Sequence, residues 1–412
     1  MTSLNICRAC QSTRIEMFLP LGDHPPANAF LRADRLDQAE RVYPLDTCVC
    51  LDCALIQVAD HLPADFFRDY VYVPSASATM HSHFREFAGT VNSRLISSAD
   101  QLVVDIGCND GLFLASCQSL GVRTLGIDPA SNIAEMARAK GLEVFNEYFS
   151  VETSRTALER WGPAQVITTT NTFNHIDDLH AFVAGVVILL ADDGTFIIEV
   201  PQALTCVEHT EFDTVYHEHL SVFSVTSLDK LGAFFGLEVV EVQELPIHGG
   251  SMRVFLRRSG RTTAVPSAAN APALWRDKER AANLFDAGTY RDMAQRVHAI
   301  RDELMVLLRA LKADGKHIVG YGAPAKGNTL LNFYGIGSDM MDYLADLNPL
   351  KQGLYSPGQK IPVVSPDRIE ETKPDYLLIL AWNFADEIIA QQQAHARRGG
   401  KFIIPIPRPI VV

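Results

Sequence analysis

The stretch Leu102-Val103-Val104-Asp105-Ile106-Gly107-Cys108-Asn109-Asp110-Gly111 decides how the rest of this chain is read. Its apolar run predicts a buried strand. The glycines at 107 and 111 predict a tight turn open to close ligand approach, with a helix over Leu112 to Ser119. A second apolar run, Val122 to Ile127, ends in Asp128, 23 positions after Asp105. That is close to the roughly 20-residue interval at which a second-strand carboxylate meets a ribose hydroxyl. Dinucleotides and S-adenosylmethionine both use such an acid. A dinucleotide turn carries three glycines, so that the helix N-terminus approaches the pyrophosphate, whereas here Asn109 and Asp110 separate only two. Acids at 105 and 110 repel phosphate, and either suits the ammonium of a methionine moiety. The turn therefore reads as an S-adenosylmethionine site with Asp105, Gly107, Asn109, Gly111 and Asp128 as contacts, and NAD as the second choice.

From His81 to about Arg258, helices and strands alternate as in a doubly wound α/β sheet, with strands predicted at 102–106, 123–127, 143–145, 165–170 and 195–200. The fourth ends in Asn171-Thr172-Phe173-Asn174-His175-Ile176, which places Asn171 and His175 at the ligand-binding carboxyl edge, although His175 also suits a helix cap. The fifth passes into Tyr216-His217-Glu218-His219. Histidines two apart point to opposite sides of a helix and do not make an HExxH metal site, so general acid/base work is the better functional reading. His248-Gly249-Gly250-Ser251-Met252-Arg253 suits a tight turn beside an anion and makes Ser251 and Arg253 candidate substrate contacts. Ser259 to Ala273 reads as a linker, and Leu274 to Ala313 as one long helical pattern.

His317-Ile318-Val319-Gly320-Tyr321-Gly322-Ala323-Pro324-Ala325-Lys326-Gly327-Asn328-Thr329 is a second nucleotide-fold signature, a strand and small-residue turn leading to a helix start with a lysine. The lysine does not directly precede Ser or Thr, so the ATP phosphate loop is not implied. Strands at 342–345, 376–380 and 402–406 follow. Lys326, Asn328, Asp346, Asn348, Lys351, Trp382 and Asn383 then surround a place for a nucleotide-linked ligand.

A chain of 412 residues is long for one core. Three units are expected: a zinc-binding domain over 1–75, a cofactor domain over 76–260 and a Rossmann-like substrate domain over 274–412. The net charge of −13 offers no general basic surface to nucleic acid or anionic lipid. The most apolar runs, such as Val186 to Ala191, fall far below the ~20 residues of a membrane span, and no signal-peptide core is seen. A soluble, cytoplasmic protein is expected. Five of eight cysteines lie in the first 53 residues. Cys7-x2-Cys10 and Cys50-x2-Cys53 form two knuckles suited to one structural zinc, in preference to two disulfides or a redox motif, and Cys48 is left over. Asp69 to Ser77 reads as an edge strand and loop, or as a segment whose Tyr70 and Tyr72 line a polar pocket.

Taken together, these motifs resemble the sugar C-methyltransferases of nucleotide-linked 4-keto-deoxysugar pathways, over nearly the full length. The residues that carry the likeness are the four-cysteine module, Leu21-Gly22-Asp23-His24-Pro25-Pro26-Ala27-Asn28, Asp105 to Gly111, Tyr216 to His219, His248 to Ser251 and Gly322 to Asn328. The resemblance implies zinc in the first domain, S-adenosylmethionine in the second, and a third that helps hold the nucleotide sugar. It also implies that His219 is the active-site histidine, with Tyr216 and Glu218 beside it and Tyr72 and His175 at further pocket positions. Cys48 and Val71-Tyr72-Val73-Pro74 depart from the family pattern. The chemistry agrees with the residues: methylating carbon next to a ketone needs a base, and histidine suits proton removal at neutral pH. The expected partner is a small nucleotide sugar. The rival readings are an NAD-dependent nucleotide-sugar oxidoreductase and a non-catalytic zinc-containing binding protein.

Overall fold

The computed structural model describes residues 4–60, 62, 75, 78–247, 249–261 and 268–412. Two matched knuckles begin the fold. Gln11 N–H donates to Cys7 O at 3.0 Å and Ala54 N–H donates to Cys50 O at 2.8 Å, and both donors take a left-handed φ, 59° and 57°. These turns aim four thiols inward. The Sγ atoms of Cys7, Cys10, Cys50 and Cys53 lie within 4.8 Å of one another, with Cys7–Cys53 at 3.6 Å and Cys10–Cys50 at 3.5 Å. Tetrahedral zinc with Zn–S near 2.3 Å spaces its sulfurs about 3.8 Å apart, so the quartet fits the ion and leaves it no open position. Cys48 stays outside the quartet, and burial pushes its thiol up to about 11.

Strands β1 (Ile15–His24), β2 (Tyr43–Cys50) and β3 (Ile56–Val58) form the antiparallel sheet of this module. The chain continues through α1 (Ala78–Leu95), β4 (Leu102–Ile106), α2 (Leu112–Gln118), β5 (Arg123–Ile127), α3 (Ser131–Ala139), β6 (Val144–Phe145), α4 (Val151–Trp161), β7 (Ala164–Thr170), α5 (Leu179–Leu189) and β8 (Leu190–Pro201). After α6 (Ala203–Glu208) and β9 (Ser221–Val222) come α7 (Val225–Ala233), β10 (Leu237–Leu245) and β11 (Ser251–Arg258). The middle sheet has the order β10-β11-β8-β7-β4-β5-β6. Its five strands from β8 to β6 are parallel, and the β10–β11 hairpin closes one edge antiparallel. Strand order reverses between β4 and β7, which opens a crevice beyond their carboxyl ends.

The single helical pattern expected over 274–313 is two helices, α8 (Pro272–Ala281) and α9 (Ala287–Ala313). Asn283 turns left-handed at φ 54°, and Asp286 restarts the helix by accepting from Gly288 N–H at 2.6 Å. Helix α8 packs on the middle sheet: Trp275 joins that core, and Glu279 accepts from Val225 and Thr226 N–H at the start of α7. Of the expected linker, 262–267 lie outside the described residues. Then β12 (Ile318–Tyr321), α10 (Ala325–Tyr334), β13 (Leu344–Ala345), β14 (Val363–Val364), β15 (Tyr376–Ile379), β16 (Lys401–Ile404) and β17 (Ile410–Val411) build a sheet of order β14-β13-β12-β15-β16-β17.

The turns after β4 and β12 repeat one construction. Gly107 N–H donates to Ile127 O, and Gly322 N–H to Ala345 O, both at 2.7 Å. In the same way Asp128 Oδ2 accepts from Asn109 N–H at 2.9 Å and Asp346 Oδ2 from Ala323 N–H at 2.6 Å. In each sheet the acid ending the second strand holds the turn that follows the first.

The segment between β8 and α7 ties the three parts together. Strand β9 adds to the zinc-module sheet beside β3, and Phe212 packs on Phe333 and Tyr334 at the end of α10. One apolar core holds residues of β1 to β3, of 203–222 and of the carboxyl-terminal unit. Among the described residues no helix is long and apolar enough to cross a membrane.

The purified chain is expected to carry one zinc per molecule by elemental analysis, and a Cys50→Ser, Cys53→Ser variant to lose both the metal and stability. Full retention of zinc in that variant contradicts the assignment.

Candidate active site

The cofactor turn is built so that only glycine fits at two positions. Gly107 and Gly111 have φ of 75° and 79°, and a Cβ on them would fall 2.1 Å from Thr172 Oγ1 and 2.2 Å from Leu142 Cδ1. The two oxygens of Asp128 accept from Asn109 and Ala130 N–H, each at 2.9 Å. A carboxylate keeps further lone pairs beyond these, so Asp128 is fixed in place and still able to accept ribose hydroxyls. Asp105 is buried, accepts from Thr168 Oγ1 at 2.7 Å, and is pushed up to about 7 by burial, against the pull of that hydrogen bond. A cationic ligand group would restore its charge. Asp110, the other candidate for the ammonium, is fully buried and takes Lys140 Nζ at 2.8 Å. It is a structural ion pair, which leaves Asp105. Asn171 follows β7 in a left-handed turn, φ 52°, its N–H bonded to Glu199 O. The turn thus offers a fixed acid for a ribose, a buried acid for an ammonium and close backbone approach, which fits S-adenosylmethionine.

Across the crevice mouth the tetrad divides in two. Tyr216 and His219 form a buried pair, rings stacked at 3.9 Å and Tyr216 Oη 2.5 Å from His219 Nε2. His219 Nδ1 lies 3.0 Å from Thr214 O. A carbonyl only accepts, so Nδ1 carries the hydrogen and Nε2 is the basic atom, taking the Tyr216 hydroxyl. His175 stands edge-on to His219, centroids 4.9 Å apart. Burial pushes His175 down to about 4, partly offset by a hydrogen bond to the Asn171 backbone. It is therefore neutral at pH 7 and brings no second charge beside His219. The helix cap that His175 also suited is supplied instead by Asp178, whose carboxylate accepts from Ala181 N–H at 2.9 Å at the start of α5.

His217 and Glu218 face elsewhere. His217 Nε2 reaches Tyr43 O in β2 at 3.0 Å, and burial pushes it down to about 4. Glu218, expected beside His219, instead accepts from Asn28 N–H at 3.2 Å and from its side-chain amide at 2.5 Å. Burial pushes it up to about 7, against those bonds and the charge of Lys351. Its role is to lock the Leu21 to Asn28 turn onto the tetrad. Tyr72 and His248 lie outside the described residues.

The expected substrate contacts also divide. Ser251 is fully buried and donates to Ile247 O at 3.1 Å. The anion expected beside Arg253 is Glu199, whose Oε2 accepts Nε at 2.9 Å and Nη2 at 2.7 Å. Both residues therefore belong to the protein's interior and not to a substrate site. Lys326 does open α10, but its Nζ lies 3.9 Å from Glu211 Oε2 and 5.0 Å from the Trp382 ring centroid. Trp382 Nε1 in turn donates to Asp213 Oδ2 at 2.6 Å. Asn328 donates to Ala27 O at 2.8 Å, Lys351 to Ala323 O at 2.8 Å, and Asp346 accepts from Asn348 N–H at 2.8 Å. Lys326, Asn328, Asp346, Asn348 and Lys351 thus gather around the second turn, as the sequence led us to expect. What sequence reasoning missed is Glu211, Asp213, Thr214 and Glu199. The acids among them mark themselves only by lying next to apolar or motif residues, as in Glu211-Phe212-Asp213.

Comparison with known proteins matches three successive segments of the chain. The chain matches, in order, families described as "Putative zinc binding domain" over 7–67, "Methyltransferase domain" over 80–242 and "C-methyltransferase C-terminal domain" over 246–407. C-methyltransferase NovU of Streptomyces niveus is 36% identical over 412 residues, covering 98% of this chain and 96% of that protein. Ubiquinone biosynthesis O-methyltransferase of Bordetella avium (strain 197N) is 29% identical over 112 residues, 27% of this chain and 44% of its own. Among solved structures, magnesium protoporphyrin IX methyltransferase of Synechocystis PCC 6803 with bound SAH is 12% identical, with a TM-score of 0.34 over 43% of this chain and 83% of that one. With a relative of such identity along its whole length and the three segments in the same order, the oxidoreductase and non-catalytic readings fall away, and the chain belongs to the S-adenosylmethionine-dependent C-methyltransferase family.

Proposed function

We propose that this enzyme methylates the carbon beside the ketone, C3, of a nucleotide-linked 4-keto-deoxysugar, through an enolate formed by Tyr216 and His219. The observation that carries the reading is the buried hydrogen bond from Tyr216 to a His219 whose other nitrogen is tied to a carbonyl. S-adenosylmethionine supplies an electrophilic methyl group, so the acceptor carbon must first become a nucleophile. A ketone next to it makes that possible, because the charge left on losing the proton spreads onto oxygen.

The pair is arranged for a relay. The Tyr216 hydroxyl takes the proton from carbon as it gives its own to His219 Nε2, and the restored phenol O–H then faces the enolate oxygen as a donor. His175, neutral and bonded to the Asn171 backbone, stands edge-on to His219. Its lowered basicity makes it a poor base at pH 7, which favours His219. The nucleotide is assigned to the turn after β12 because that turn repeats the construction of the cofactor turn, with Asp346 in place of Asp128. Lys326, already opposed by Glu211 and Asp213, reaches a diphosphate only by exchanging those acids for it.

In deuterium oxide, with S-adenosylhomocysteine in place of the donor, wild type is expected to exchange the hydrogen on the reacting carbon of a 4-keto nucleotide sugar. His219→Asn and Tyr216→Phe should each lose at least ~10²-fold in turnover, the usual size of a general-base effect, while still binding both ligands. His217→Asn is the internal control. Near-normal turnover in His219→Asn together with its loss in His217→Asn transfers the base to the wrong histidine and sinks the assignment.

Asp128→Ala is expected to weaken S-adenosylhomocysteine binding by roughly 1.5–3 kcal/mol, the size of a hydrogen bond to a charged group. Calorimetry reads this directly, and an unchanged affinity excludes Asp128 as the ribose acceptor.

A further inference from the structure

The first cysteine knuckle carries a side chain that reaches out of the zinc module. Arg8 lies between Cys7 and Cys10, and its side chain is 5% exposed. Its Nε donates to Asp177 Oδ1 at 2.9 Å and its Nη1 to Val58 O at 2.7 Å. The backbone beside it is seated as well: Arg8 N–H donates to Gln57 Oε1 at 3.1 Å, and Ala9 O accepts from His180 Nε2, on α5, at 3.0 Å.

Each acceptor of the guanidinium leads to one of the two histidines of the candidate site. Val58 N–H donates to Leu220 O at 3.0 Å, and Leu220 directly follows His219. Asp177 stands two residues after His175, between the helical turn Phe173–His175 and α5. The two imidazole rings meet edge-on with centroids 4.9 Å apart. A closed circuit therefore runs from His219 through Leu220, Val58, Arg8 and Asp177 to His175, and back across the ring contact.

Stability alone does not account for the pair. Asp177 is 52% exposed, and an ion pair with one partner half in water adds little to folding. The form of arginine suits another task. Its planar fork sends Nε–H and Nη1–H in fixed, different directions, so two acceptors are held at one separation, which the compact ammonium of lysine does not reproduce. The knuckle turn fixes where that fork starts.

We infer, resting on the reading that these histidines serve the reaction, that Arg8 is a positioning residue: it spans the backbones that carry His219 and His175 and so sets the contact between their rings. It touches neither ligand and acts through the two histidines. The first knuckle thereby places His175 relative to His219, and displacing a reacting group by ~1 Å costs on the order of 10²-fold in rate.

The test reads the ring contact by magnetic resonance, without substrate, on the zinc-loaded full chain with isotope-labelled histidine rings. Wild type is expected to show cross-relaxation between the His175 and His219 ring protons, assigned with His175→Gln and His219→Asn. Arg8→Lys and Asp177→Ala should each weaken it about threefold or more, and the double variant should lose no more than Arg8→Lys alone, since both changes break the same link. Arg14→Ala, which removes an exposed ion pair to Asp52 in the second knuckle, is the control and should leave the contact intact. Each of these four variants is expected to keep its zinc and its affinity for S-adenosylhomocysteine. With a 4-keto nucleotide sugar, Arg8→Lys and Asp177→Ala should lower kcat by about 10-fold at unchanged KM, the pattern of an interaction realised in the transition state. An undiminished ring contact in Asp177→Ala, a change at a half-exposed site that does not threaten folding, overturns the inference. Loss of zinc or of S-adenosylhomocysteine binding from Arg8→Lys makes the residue structural and overturns it too. If wild type fails to turn over the 4-keto sugar, the substrate reading falls, and the ring contact still decides the role of Arg8.

Discussion

The insertion of residues 209–223 between the zinc module and the carboxyl-terminal unit is the constraint on which the rest of this structure depends. Those residues carry the Tyr216–His219 pair, yet they have little regular structure of their own: one short helical turn at Phe212–Thr214 and the two residues of β9. A loop of that kind holds a catalytic geometry only if its surroundings over-determine it. Phe212 is anchored in aromatic packing at the end of α10, and β9 hydrogen-bonds to β3. Asn28 holds Glu218 from the other side. A zinc held by the four cysteines would therefore reach this loop at a distance: it would fix the turn between β2 and β3, and β3 pairs with β9.

If the second turn holds the nucleotide as proposed, the two turn-and-acid constructions let one fold hold two ligands without confusing them. Each sets a glycine of positive φ after a parallel strand and ties the turn to an acid on the neighbouring strand. Their charged surroundings differ. The middle turn has Asp105 and Asp128 near it, whereas the second has Lys351 donating into its Ala323 carbonyl and Lys326 at the following helix start. On the proposed assignment, a zwitterionic methionine end and a polyanionic nucleotide would be sorted by that difference, since like charge near either ligand costs more than a lost contact.

Much of this was legible in the sequence because it is local. The strands at 102–106 and 123–127 occur with the predicted bounds, since short apolar runs bounded by glycine or acid specify buried parallel strands. The cysteine knuckles were equally readable, four ligands within two tight turns. What could not be read were pairings across the chain. Arg253 looked like an anion site because its anion, Glu199, stands 54 residues away. Glu218 looked like a partner of His219 because it is adjacent in sequence, while its side chain reaches Asn28, 190 residues away. The break between α8 and α9 escaped because Asn283 fits a helical pattern by polarity and departs from it only in φ.

Charge explains why the loop needs its neighbours before it can work. Burial raises the carboxyls of Glu211, Asp213 and Glu218, three acids within eight residues of one loop. The carboxyl-terminal unit brings the cations: Lys326 lowers Glu211 and Asp213, and Lys351 lowers Glu218. Carboxylates buried without such partners would either leave the interior or take up protons. Docking of the unit that bears the second turn therefore supplies the counter-charges that let residues 211–219 pack inward. In this packing Thr214 O lies 3.0 Å from His219 Nδ1, which leaves Nε2 to the Tyr216 hydroxyl. On the assignment proposed above, docking of the carboxyl-terminal unit thus also supports the tautomer of the base, so a chain lacking that unit is expected to lose the base along with the nucleotide site.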